Sequence, residues 1–74
     1  MESHDVELIE RLAGGHDELR HLWTRHQDYE RDLARLQDVR NPSEGERRKI
    51  GEIKRMKLRG KERMESILAT HRDL

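Results

Sequence analysis

Apolar residues recur at alternating three- and four-residue steps through the first half of the chain. Leu8, Leu12, Leu19, Leu22, Tyr29, Leu33 and Leu36 form the series, with Gly15 and His26 at its skipped positions. This spacing keeps one helix face apolar, and it persists over about four heptads as in a coiled coil. Ile9, His16 and Trp23 lie one residue beyond and widen the stripe. In the second half Ile50, Ile53, Met64, Ile67 and Leu74 share a series whose intervening places hold Lys57, Gly60 and His71, with Met56 and Leu68 beside it. The middle of this second stripe is poor in apolar bulk. Leu, Glu, Arg and Lys dominate and no β-branched or aromatic run suggests a strand, so the pattern predicts an all-α protein.

Two interruptions divide the pattern. Pro42 disfavours helical dihedrals at Asn41, which places the end of a helix near Val39 or Arg40. The next helix has two candidate starts: Asn41 as cap with Pro42 at the first helical position, or the Ser43-x-x-Glu46 capping box. The second interruption is Gly14-Gly15, where each glycine costs roughly 1 kcal/mol relative to alanine inside a helix. It predicts either a kink or a full break, and Asp17 and Glu18 then fall in the first turn of the succeeding helix, where acids suit the dipole. Ser3 is the expected cap of the amino-terminal segment, with Asp5 and Glu7 in its first turn. The expected organisation is a single domain over 1–74: helix about 4–13, kink or break at 14–15, helix about 16–40, turn 41–43 and helix about 43–72. The short connection at Pro42 predicts an antiparallel helical hairpin, coiled-coil-like, with a short extra amino-terminal helix if Gly14-Gly15 breaks the chain.

Folding about Pro42 sets a register. It brings Leu36 toward Ile50, Leu33 toward Ile53, His26 toward Gly60, Trp23 toward Met64 and Leu19 toward Ile67. Trp23 is expected to fill the space that Gly60 leaves. A two-helix hairpin leaves much of both stripes wet, which points to a homo-oligomer or an unidentified protein partner.

Composition sharpens this picture. With 31% hydrophobic residues against 43% charged, the 74-residue chain has little from which to build a core; below about 80 residues a core rarely supplies more than roughly 3–5 kcal/mol. Its apolar runs are far too short for a membrane span or a signal-peptide core, so no membrane association and a cytoplasmic location are expected. The net charge of zero conceals opposed halves, −6 over residues 1–46 and +6 over 47–74. Either the halves fold against each other or the basic arm seeks an acidic partner.

The candidate chemistry is sparse. The absence of cysteine excludes disulfides, Cys-based zinc sites and thiol nucleophiles. His16, His21 and His26 are five residues apart and rotate about 140° per step, so the three cannot face one ion; His26 and Glu30 form the one local pair at suitable spacing. Ser3, Ser43 and Ser66 sit in capping or helical contexts without an obvious base. Thin helices offer no cleft in which a carboxylate is desolvated and tuned. No catalysis, cofactor, metal or small-molecule substrate is expected. Lys54, Lys57 and Lys61 recur on one face as a positive ridge, with Arg47, Arg55, Arg59 and Arg63 beside it. Such a ridge suits an acidic partner, or phosphates of a nucleic acid bound without sequence preference, although no aromatics interleave to stack bases. Part of it is expected to face Asp28, Glu30 or Asp32 across the hairpin.

Two segments resemble the YdcH-like family of small bacterial proteins. One is Trp23, His26, Tyr29 and Leu33, an aromatic, a histidine and two apolar residues at steps of three, three and four. The other is Ile53-Lys54-Arg55-Met56-Lys57-Leu58-Arg59-Gly60-Lys61-Glu62, set against the family's Leu-Lys-x-x-Lys-Leu-x-Leu-Lys-Asp. The match covers roughly residues 19 to 68 at consistent spacing. Trp23 replaces the usual Phe, Tyr29 a Leu, Gly60 the second Leu and Glu62 the Asp. The resemblance implies a helical hairpin prone to coiled-coil association, with no established activity, substrate or cofactor. Together these readings lead to a small non-catalytic protein acting through protein–protein interaction or self-association. Its expected seam is Leu19, Leu22, Trp23, His26, Leu33, Ile53, Met64 and Ile67, and nucleic-acid binding through the basic second helix is the alternative.

Overall fold

The computed structural model describes residues 1–72, which form three helices: α1 (Ser3–Ala13), α2 (Asp17–Gln37) and α3 (Glu44–Arg72). Leu74, the last member of the second stripe, lies outside the described residues. The molecule measures 48 × 20 × 16 Å, a length set by the 29 residues of α3 at about 1.5 Å each.

The glycine pair produces a break. α1 stops at Ala13, Gly14 and Gly15 form a turn, and α2 begins at Asp17. Neither glycine has positive φ, so the turn uses their weak helix propensity rather than a left-handed conformation. His16 caps α2: its Nδ1 accepts the Leu19 backbone N–H at 3.1 Å. Histidine is not among the preferred capping residues, and its role here was invisible in the sequence. Asp17 and Glu18 occupy the first turn. At the other break, α2 ends at Gln37, three residues before the expected limit of Arg40, with Val39 N–H closing a tighter turn onto Leu36 C=O at 3.3 Å. The chain thus leaves the helix before Asn41 meets the steric restriction of Pro42.

Of the two candidate starts for α3, the Ser43–Glu46 box is the one formed. Glu46 N–H donates to Ser43 Oγ at 3.1 Å and Ser43 N–H to Glu46 Oε1 at 3.0 Å, satisfying two otherwise unpaired donors. The Ser43 bonds hold the Glu46 carboxyl below the usual carboxylate range. Ser3 does not cap α1. It is the first helical residue, and Glu2 precedes it without a side-chain capping bond.

α2 and α3 pack along each other as a helical hairpin, and α1 packs on both. The core lies where all three meet: Ile9, Leu19, Met64, Ile67 and Leu68 are buried together, with Leu8, Leu12, Leu22 and Trp23 half-buried around them. Ile9, read as a flank of the stripe, is the buried residue of α1, whereas Leu8 and Leu12 are only half-buried. The turn at Gly14-Gly15 resets the helical phase, so the α2 register does not carry into α1. Towards the Pro42 turn only α2 and α3 remain, and there the buried apolar residues are Leu33 and Ile53.

Candidate interaction surface

Within α2 the expected stripe faces α3. Leu19, His26 and Leu33 are buried, and Leu22, Trp23, Tyr29 and Leu36 are half-buried. On α3, Ile53, Met64 and Ile67 are buried, as is Leu68, which the spacing had placed beside the seam. Met56, the other flanking residue, is 40% exposed. It shares that state with Val39 and with Leu58, 54% exposed. These three large exposed apolar residues all lie in the half of the hairpin that α1 does not reach.

His26 is the buried polar residue of the seam, 3% exposed. Its Nε2 lies 3.1 Å from Glu30 Oε1, one helical turn on, and its ring stacks on Trp23. Glu30 Oε1 also receives Lys57 Nζ from α3 at 3.5 Å. Desolvation pushes the His26 pKa below its ordinary value of 6.5; Lys57 adds to that shift, and Glu30 opposes it. The neutral ring therefore donates Nε2–H to the carboxylate, and Nδ1 is a buried acceptor without a partner among the described residues.

Opposite charges from the two halves meet within one chain. Arg63 grips Glu18 with two bonds, Nε to Oε2 at 2.7 Å and Nη2 to Oε1 at 2.8 Å. This hydrogen bonding lowers the Glu18 pKa. Arg72 pairs with Asp5 of α1, and the ring of His16 meets that of His71 edge to face at 5.9 Å. Of the lysine ridge, Lys57 turns to Glu30, as the register implied, and Lys61 lies 3.9 Å from Glu65 on its own helix. Asp28 and Asp32, the other expected partners, are taken by Arg31 and Arg35 of their own helix instead, because an arginine three residues on reaches them without crossing the hairpin. Lys54 and its neighbours Arg55 and Arg59 make no ion pair among the described residues.

Trp23 does not fill the space at Gly60. It packs against the three-helix core, and a Cβ built on Gly60 meets no heavy atom within 4 Å. The indole packs where α1 closes the bundle, and a groove of about 400 Å³ is left between α2 and α3 at Gly60. His26 and Gly60 both line it, as their shared register level implied. Among the described residues no three His, Asp or Glu gather in a metal-binding group, and no helix is long and apolar enough to cross a membrane. No family model, curated protein or solved structure matches the chain.

Proposed function

We propose that this chain is a small non-catalytic interaction protein of the kind its YdcH-like resemblance implies. It is an antiparallel, coiled-coil-like hairpin, clasped at its open end by α1, that associates through its two-helix half with a second helical hairpin of its own kind or of another protein. The observation that carries this reading is that Val39, Met56 and Leu58, the large apolar residues left exposed among the described residues, all fall in the half that lacks a third helix. Met56 and Leu58 are two residues apart, about 200° around α3, so they flank the seam on both sides and favour coverage by more than one neighbouring helix. The descending pairs Glu18–Arg63 and Glu30–Lys57 support the antiparallel course.

Sedimentation of the wild type and of M56E and L58E tests the proposal. Both substituted side chains are exposed in the single chain, so the helix content should persist. A wild-type dimer or larger species that the substitutions convert to folded monomers is the expected result. A wild-type monomer that remains fully folded and captures no protein partner counts against the reading.

A second reading is sequence-indifferent nucleic-acid binding, favoured by the exposed bases Arg47, Arg48, Lys49, Lys54, Arg55 and Arg59 of α3, which make no ion pair among the described residues. A labelled duplex titrated against salt tests it. Binding that weakens steeply as salt rises supports this reading, and no binding at low salt removes it.

A further inference from the structure

The groove at Gly60 combines an apolar wall and a cationic rim. Its wall is supplied by Leu22 and Met56, and the missing side chain of Gly60 keeps it open. Its rim carries Arg25 from α2 and Lys57 and Arg59 from α3. Lys57 shares Glu30 with His26, whereas neither Arg25 nor Arg59 has a carboxylate partner among the described residues. Arg25 donates instead to the Tyr29 hydroxyl at 3.4 Å and sits 5.8 Å from the centre of that ring.

An apolar wall edged by two guanidiniums, neither paired with a carboxylate among the described residues, matches one chemical class. Guanidinium forks bind carboxylates through paired N–H donors and stack on aromatic faces. Leu, Met and Tyr surfaces take the remaining apolar area, and the volume falls in the range of small-ligand pockets, roughly 300–1,000 Å³. We propose that this groove binds a small aromatic carboxylate, its ring against Leu22, Met56 and Tyr29 and its carboxylate between Arg25 and Arg59. A polar anion lacking a ring leaves the apolar wall wet, and a neutral ring leaves both arginines without a counter-charge. Met56 lines the groove and also serves in the oligomer test, so the two proposals are separated by Arg59 and Gly60 on the ligand side and by Leu58, which is outside the groove lining, on the oligomer side.

The probe is 1-naphthoate, with 1-naphthamide as its neutral counterpart, titrated into the full chain by calorimetry and by amide chemical-shift mapping. Saturable 1-naphthoate binding is expected, at least tenfold tighter than the amide, with shifts centred on Arg25, Arg59 and Gly60. G60L places a side chain in the opening, and R59Q removes a fork. Each should weaken binding at least tenfold while helix content and sedimentation stay as in the wild type. If G60L disturbs the fold, R59Q alone decides, since Arg59 is exposed and holds no carboxylate partner among the described residues. No saturable binding, equal affinity for the amide, or undiminished binding to R59Q overturns the proposal. So does a naphthoate-independent dissociation of the oligomer by G60L, which assigns the groove to a second copy of the chain.

Discussion

The imidazole of His26 lies nearly parallel to the indole of Trp23, with 5.6 Å between ring centres and 12° between planes. Offset or stacked rings at this separation are attractive beyond the area they bury. The contact joins the buried polar point of the hairpin to the edge of its three-helix core. It also gives the protein an optical reporter, since the single tryptophan stacks on a histidine whose pKa burial lowers.

That relationship sets a pH dependence. In the folded chain His26 is held below 6.5 by desolvation, helped by Lys57 and opposed by Glu30. In the unfolded chain it titrates near its ordinary value of about 6.5. The unfolded state therefore binds the proton first, and stability rises with pH through that window. The contribution is fully present above about 6.5 and is lost as pH falls from there toward the folded-state pKa. Thermal unfolding monitored by Trp23 fluorescence should show Tm dropping as pH falls below about 6.5. H26Q should flatten that slope, and an unchanged slope in H26Q speaks against the assignment.

Gly60 weakens α3 without any steric need for glycine. Its φ is not positive, and a Cβ there meets nothing within 4 Å. G60A should stabilise the protein by about 0.5–1 kcal/mol, through the helix propensity it restores and the unfolded-state entropy it removes. A higher urea midpoint at constant m-value is the expected outcome. G51A, also inside α3 with open space at its Cβ, should behave alike.

Ile9 fastens α1 to the hairpin. It is fully buried against Leu19, Met64, Ile67 and Leu68. I9V should cost about 0.5–1.5 kcal/mol and I9A about 2–5 kcal/mol, since removal of buried methyl groups adds a cavity to the lost transfer energy. Amide exchange should show protection falling in α1 and at both helix ends that it touches. An I9A protein as stable as the wild type would mean that α1 is not part of the cooperative unit.

The start of α3 rests on a reciprocal cap. S43A removes the oxygen that accepts the Glu46 N–H and should destabilise by about 0.5–2 kcal/mol. Exchange of the Glu46 amide should accelerate more than that of residues in the middle of α3. S43T keeps an acceptor and should recover most of the loss.

Much of the hairpin was legible in the sequence because its information is local. Helix spacing, the proline restriction and the Ser43–Glu46 box act within a few residues, so they locate α2, α3 and the turn between them without knowledge of partners. The stripe Leu19, Leu22, His26, Tyr29 and Leu33 is in its correct phase for the same reason, since a continuous helix keeps the relation between residues three and four apart. The negative and positive halves likewise announced that they could pair.

Other features depended on the third dimension. Kink and break at Gly14-Gly15 are nearly equal in local energy, and the burial of Ile9 between α2 and α3 accompanies the break. With α1 in place, Trp23 turns to that core instead of to Gly60, which leaves the groove open and His26 with one unpartnered nitrogen. Asp28 and Asp32 had the right charge to cross the hairpin, but arginines on their own helix lay nearer. Spacing along a chain fixes which residues share a face; which of several neighbours each side chain takes is decided by distance and burial after the helices have packed.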